Sequence, residues 1–277
     1  MTVKTSRALT VIEAGRPAAH FWRELWEYRE LLYLLAWRDI AVRYKQTALG
    51  IAWALIRPLF TTLVFVLVFG FIVRIPSGDT PYALLVLAGL LPWQLISGAV
   101  SSAGESLLGN ANMLSKVYFP RLLFPLSALA TALVDFLVGL GLFFLLMAWY
   151  GVVPTWRAVA IVPLTLVALG LAVGVGTWLS AANVKYRDFR YVVPFLIQLG
   201  IYISPVGYPT SLLPQRWQLV YALNPAVGII DGFRWALLGE PYLDLPAFAI
   251  SCAFGGALLS LGLAYFHRVE KSITDVL

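Results

Sequence analysis

Charge is what this chain has least of. Asp, Glu, Lys and Arg make up 12% of its 277 residues, against about 25% in a soluble domain, which excludes an ordinary water-facing fold. Cysteine occurs once, as Cys252 inside an apolar stretch, so no intramolecular disulfide framework exists. The two histidines, His20 and His267, both lie outside the apolar stretches, which argues against a His-based metal centre or catalytic triad. No GxxxxGK[ST] phosphate loop occurs, so ATP hydrolysis is not expected in this chain, and no cofactor or metal is expected to reside in it. Paired carboxylates for metal–diphosphate chemistry are also missing. Asp135 and Asp231 stand in different parts of the chain without an acidic neighbour, which disfavours a membrane-embedded transferase. A signal peptide is not apparent either, since Lys4 and Arg7 are followed by a polar, acid-interrupted stretch.

What is abundant is apolar sequence, 60% of all residues with a mean hydropathy of +0.82. It falls into six stretches: Trp53–Val73, Tyr82–Ala103, Leu122–Tyr150, Val159–Ala182, Tyr191–Tyr208 and Ala247–Phe266. Each approaches or exceeds the ~20 residues a helix needs to cross ~30 Å of hydrocarbon. The expected fold is an all-α integral membrane protein of six transmembrane helices. The net charge of +6 raises the question of nucleic acid, but the distribution of the basic residues answers it. Sixteen of the 20 Lys and Arg residues lie in Met1–Arg57, up to the start of the first span, in the second-to-third and fourth-to-fifth connections, or in the tail. The other four are Arg74, Arg157, Arg216 and Arg234. This asymmetry predicts both termini in the cytoplasm.

Residues 1–20 read as a flexible cytoplasmic arm, 21–50 as cytoplasmic helices, and 51–277 as the transmembrane domain. Phe21, Leu25, Tyr28, Leu32 and Leu35 share a helical face, which predicts an amphipathic helix over Phe21–Leu35 lying in the membrane interface or packed on another protein. A second short helix is expected over Trp37–Gln46, with Asp39 and Arg43 paired at i,i+4. Pro58 is expected either in the first turn of the first span or as a kink within it. Between spans five and six, Ala226–Leu238 is too short to cross and carries Asp231 and Arg234. With Trp217–Leu223 before it and Asn224-Pro225 at the break, it predicts a re-entrant outer helical hairpin over residues 210–240, with two flat surface helices as the alternative. Gly170–Gly176 (GLAVGVG) inside a span reads as close helix packing by small residues. Asp135, alone in the third span, is expected to be protonated, paired or facing water. Such a residue serves either as a polar anchor or as the site of a proton-coupled carrier. The aromatics read mainly as interfacial anchors, and some as candidates for lining a conduit.

Several motifs occur in a fixed order: Glu24–Leu59, Asn110–Leu126 (NANMLSKVYFPRLLFPL), Asn183–Phe195 (NVKYRDFRYVVPF), Tyr202–Pro209 (YISPVGYP), Asn224–Gly239 and the tail Phe266–Leu277. Together they resemble the type-two ABC permeases that export lipid-linked polysaccharide, most closely the O-antigen type, over nearly the whole chain past about residue 20. The resemblance implies a homodimer in the bacterial inner membrane, carried on two copies of a separate subunit that binds ATP and Mg. Lipid-linked glycan would be the substrate and membrane lipids the surroundings, with no nucleic acid involved. Within segment 104–121, it implies coupling to the ATPase by Asn112, Leu114, Lys116, Val117, Tyr118, Phe119 and Arg121. It implies a cytoplasmic entrance at Trp37, Arg38, Asp39, Arg43, Tyr44 and Lys45, and a cytoplasmic loop at Lys185, Tyr186, Arg187 and Asp188. The outer gate would comprise Tyr202, Ser204, Pro205, Tyr208, Asn224, Pro225, Asp231 and Arg234. One departure is Gly207, where a bulkier residue is common in the family, which implies a looser turn. Export of teichoic acid, capsule, drug or lipid by a related permease is the alternative.

Overall fold

The computed structural model describes residues 26–45, 50–76, 78, 80–114, 120–186, 188–240 and 243–276, with the backbone alone over 271–276. The expected arm, residues 21–25 of the first amphipathic helix, and Lys116, Val117, Tyr118, Phe119 and Arg187 lie outside the described residues. Among the described residues every regular element is helical. In chain order the helices are α1 (Arg29–Lys45), α2 (Ala52–Phe65), α3 (Tyr82–Gly109), α4 (Leu123–Trp149), α5 (Ile161–Lys185), α6 (Phe189–Ile203), α7 (Gln215–Tyr221), α8 (Pro225–Leu238) and α9 (Leu245–Val276). A π-helix, Val66–Ile72, prolongs α2, and single turns stand at Ala111–Leu114, Trp156–Ala160 and Thr210–Leu212.

Among the described residues, five helices are long and apolar enough to cross a membrane: Ala52–Ile72, Tyr82–Gly109, Leu123–Trp149, Trp156–Lys185 and Leu245–Glu270. The expected fifth span, Tyr191–Tyr208, is the exception. Its helix α6 has 15 residues and ends at Ile203, about 22 Å at 1.5 Å per residue. Pro205 explains the stop, because the residue before a proline is driven out of the helical region; Ser204 is extended, with ψ 152°.

Helix α3 is the centre of the bundle, packed on α4, α5 and α8. Its first half is apolar on every side, as a helical segment buried on every side must be, and Leu84 through Pro92 are buried without interruption. Small residues set the closest approaches. At Gly174 of α5, an added methyl would lie 2.6 Å from the backbone nitrogen of Leu259 on α9, and one at Gly176 would lie 2.7 Å from Ala103 Cβ on α3. The glycine-rich run is therefore a packing surface, as its composition predicted. Helices α2 and α6 stand at the periphery and leave Phe60, Leu63, Phe71, Phe195 and Leu196 exposed.

The amphipathic region differs from expectation. A single helix runs unbroken from Arg29 to Lys45 where two were predicted on either side of Ala36. The physical reason is simple: neither glycine nor proline occurs between residues 18 and 49, so nothing interrupts the backbone ladder. Tyr28, Leu31, Leu32 and Leu35 do form one face, but they pack on the chain's own bundle, against Leu107, Leu122, Phe124, Val184 and Phe266. Trp26, Tyr33, Leu34 and Trp37 on the other face stay exposed. Pro58 lies inside α2, six residues after its start, and so is not in the first turn.

Candidate functional site

Two polar constellations interrupt the apolar bundle, one at the end that carries α1 and one at the far end. At the first, the pair expected within α1 is not formed. Asp39 accepts from Arg38 Nη2 at 2.7 Å and from Ser127 Oγ of α4 at 3.1 Å. Arg43 reaches Asp135 of α4 instead, Nη2 to Oδ2 2.5 Å, and the Tyr44 hydroxyl donates to the same carboxylate. Asp135 lies twelve residues past Leu123, roughly 18 Å along α4, so the basic C-terminal turn of α1 is joined to the middle of a span. Of the three states predicted for Asp135, the structure has the paired one. Burial, followed by the bond to Asp135, pushes the Tyr44 hydroxyl well above the usual tyrosine range. Trp37 and Lys45 are exposed, and Arg38 and Arg43 are partly exposed.

The neighbouring connections supply the other residues of this end. Asn112 and Leu114 belong to the helical turn after α3, and Met113 and Leu114 pack on the cluster that holds Leu35. The Arg121 backbone N–H donates to Glu270 Oε1 of α9 at 3.4 Å, which ties the start of α4 to α9. Between α5 and α6, the Lys185 ammonium sits over the Tyr186 ring at 5.2 Å, Tyr186 lies beside Phe189, and Asp188 precedes the first residue of α6.

At the far end the residues expected at a gate converge. Asn224 is the N-cap of α8: its Oδ1 accepts from the Ala226 N–H at 3.1 Å, and Pro225 takes the first helical position, where a missing N–H costs nothing. Its Nδ2 donates to Ser204 Oγ at 3.0 Å. Tyr221 Oη donates to Ile203 O at 2.5 Å and shares a hydrogen bond with Tyr208 Oη, which also reaches Tyr202 O. Pro205 is buried in the turn. Arg234, 1% exposed, donates to the carbonyls of Val206 and Tyr208, each at 2.9 Å, and stands 4.0 Å from Asp231. Asp231 in turn accepts from Thr210 Oγ1 at 2.8 Å and lines a cavity of about 530 Å³. The left-handed cap Gly239 (φ 71°) ends α8, and Arg157 donates to Glu240 O at 2.7 Å just beyond it, where a helix favours a cation. Burial raises the Glu240 carboxyl pKa, opposed by Arg234.

The turn at Gly207 is tight, contrary to expectation. Its carbonyl accepts from Tyr82 Oη at 2.5 Å, and a methyl group at Gly207 would collide with the Phe65 ring. We expect Gly207→Val to lower stability by about 1–3 kcal/mol through overpacking, read as a fall in the unfolding midpoint in detergent. An unchanged midpoint would mean the turn has slack after all. Sequence reasoning missed Tyr82, Ser127 and Tyr221, because the partners that matter, Gly207 O, Asp39 and Ile203 O, lie 125, 88 and 18 residues away.

The model of the ABC-2 type transporter family matches residues 30–238. The chain belongs to the ABC-2 type transporter family. It is 33% identical to the O-antigen export system permease protein RfbA of Myxococcus xanthus over 214 residues, 76% of this chain and 82% of the relative. It is 26% identical to the RfbA permease of Klebsiella pneumoniae over 255 residues, 90% of this chain and 95% of the relative. The polysialic acid transport protein KpsM of Escherichia coli is 22% identical over 258 residues, 88% and 94% of the two chains. As a member of this family the chain is similar to permeases along almost its whole length. Helix α1 from Glu30 on, the glycine-rich run of α5 and the far-end turn lie inside the matched residues.

Proposed function

We propose that this chain is the membrane-spanning permease subunit of an ATP-driven exporter that moves polyprenyl-pyrophosphate-linked polysaccharide of the O-antigen type across the bacterial inner membrane. The observation that carries the reading is the end-to-end similarity to O-antigen export permeases. A capsule polysaccharide is the second reading, favoured by the more distant similarity to KpsM.

In this reading the α1 end faces the cytoplasm, both termini included, as the basic residues favour. The spans number six, with α6 as a short fifth. Helices α7 and α8 form a re-entrant outer hairpin. Three contacts support it: Pro225 lies beside Gly255, Ala222 O accepts from Ser251 Oγ at 2.8 Å, and Gly239 lies beside Thr155. Those contacts set the hairpin tip well along α9 from Leu245 and the end of α8 beside the start of the fourth span. The exposed apolar faces of α2 and α6 suit a homodimer as well as lipid. Two ATP-binding subunits would dock on the segment around Asn112–Arg121, and their ATP-driven closure would rock the two permease halves. Arg38, Arg43 and Lys45 would meet the pyrophosphate headgroup, with Arg43 exchanging Asp135 for it. ATP and Mg would be held by the partner, and hydrolysis would take place there.

Co-expression with the candidate ATP-binding subunit tests this. A two-plus-two assembly is expected, whose ATP hydrolysis falls several-fold when Lys116 and Arg121 are both replaced by alanine. A chain that binds no such subunit, with transport following a proton gradient, would overturn the proposal.

A further inference from the structure

Arg234 carries an inference beyond its place in the outer set. A guanidinium has five N–H donors and cannot discharge, so it survives burial only where acceptors are already in place. Here the acceptors are backbone carbonyls from two elements: Val206 and Tyr208 of the turn at 2.9 Å each, and Leu85 of α3 at 3.4 Å. The seat depends on a second residue. A methyl on Gly89 would lie 3.0 Å from Arg234 Nη2 and 3.1 Å from Val206 O, so the bare glycine on α3 leaves the space through which the bond forms.

The turn is held elsewhere too, through Tyr82 on Gly207 O and Tyr221 on Ile203 O. The body of α6 contrasts with this. Val193 is its one buried residue, while Tyr191, Phe195, Leu196, Leu199 and Tyr202 are exposed. Its close seat on α3, Gly200 against the Trp93 ring, lies next to the turn, and at its other end Phe189 meets the Trp178 ring of α5 edge-to-face, with centroids 5.9 Å apart. The helix is therefore held at its two ends and lightly packed between them.

We propose that Arg234 is a positioning residue for transport: seated in the space left by Gly89, it fixes the Val206–Tyr208 turn to α3 and thereby sets how tightly the outer end closes. The proposal rests on the permease reading above. A purely structural role would lower stability without altering how tightly the outer end closes. Lysine at 234 keeps the charge but replaces the planar fork, whose separate nitrogens reach the two carbonyls, with a single ammonium, so the turn gains slack while the site stays cationic.

The test uses the full chain in liposomes, alone and with its ATP-binding partner. It compares wild type, Arg234→Lys, Arg234→Met and Gly89→Ala. The readouts are leak of a small trapped fluorophore without ATP, glycan moved per ATP hydrolysed, and the unfolding midpoint. Arg234→Lys and Gly89→Ala are expected to raise leak on the order of tenfold, the effect of one lost charge-assisted hydrogen bond on a two-state balance. Glycan per ATP should fall to match, while hydrolysis itself persists. Arg234→Met should leak more. If it fails to fold, Arg234→Lys and Gly89→Ala decide the matter. Wild-type leak and coupling in those two variants would overturn the proposal, whether or not their midpoints fall. A wild-type complex that hydrolyses no ATP and moves no glycan would instead overturn the permease reading. The leak of the chain alone would still decide the role of Arg234.

Discussion

Gly174→Val will keep α5 and α9 from meeting, and we expect it to be the most damaging single change in the bundle. An added methyl at 174 would lie 2.6 Å from Leu259 N and 2.7 Å from Leu258 O, with Leu259 Cα closer still. All three are backbone atoms, which no rotamer change can move aside. The crossing is reciprocal, because a methyl at Gly262 would strike the Gly174 carbonyl. Overpacking a core costs about 1–3 kcal/mol where side chains can yield; a backbone-to-backbone contact sits at or above the top of that range. Gly262→Ala should reproduce the loss from the opposite helix. Gly256→Ala, on the same helix as Gly262 with nothing within 4 Å, should be neutral or slightly stabilising, since alanine favours helix over glycine. The measurement is the folded fraction and unfolding midpoint in detergent for the three variants. Equal midpoints for Gly262→Ala and Gly256→Ala would refute the packing account.

The second large effect is expected at Asp135. Replacing it with asparagine preserves the shape but leaves Arg43 without its carboxylate and Tyr44 with a weaker acceptor. Breaking a fully buried pair costs about 3–5 kcal/mol. Arg43 and Asp135 keep side-chain exposures of 35% and 29%, so about 1–3 kcal/mol is the expected loss after solvent screening. The helix that loosens is α1, whose other polar tie to α4, Asp39 to Ser127, is a single neutral-donor bond, while its apolar face stays packed on Leu123 and Phe124. Arg43→Gln in the Asp135→Asn background should restore part of the stability, because neither charge is then left alone. The cycle also separates two accounts of the residue. An ATP-driven exporter carrying Asp135→Asn loses stability and keeps ATP-dependent transport in the surviving protein. A proton-coupled carrier loses transport outright, and the double variant does not recover it.

How much of this was readable depends on how far apart the partners are in sequence. The apolar stretches, the glycine packing surface and the apolar face through Tyr28, Leu32 and Leu35 are local patterns, and all three appear in the structure. The α8 boundaries were nearly explicit, with Asn224-Pro225 as cap and first turn and Gly239 as the left-handed stop. The end of α6 was legible at Pro205, since the residue before a proline leaves the helical region, but the apolar run continuing past it to Tyr208 masked the stop that the extended Ser204 shows. Gly207 misled for a related reason. A missing side chain signals freedom when read along the chain, but here it makes room for a ring from α2.

The sequence by itself determined the class of protein: a scarcely charged chain of membrane-length apolar helices, with basic residues biased to one set of connections and motifs of the ABC-2 family in order. Hydrophobic length and charge bias are properties of single segments, so no fold is needed to read them. Only the tertiary structure decided which polar groups meet. Arg43 and Tyr44 find Asp135 some 90 residues on, and Arg234 finds Leu85 across 149. In an apolar bundle a buried charge must be matched by whatever acceptor the packing brings within 3 Å. That match is made by helices crossing in space, which no periodicity along one strand of sequence records.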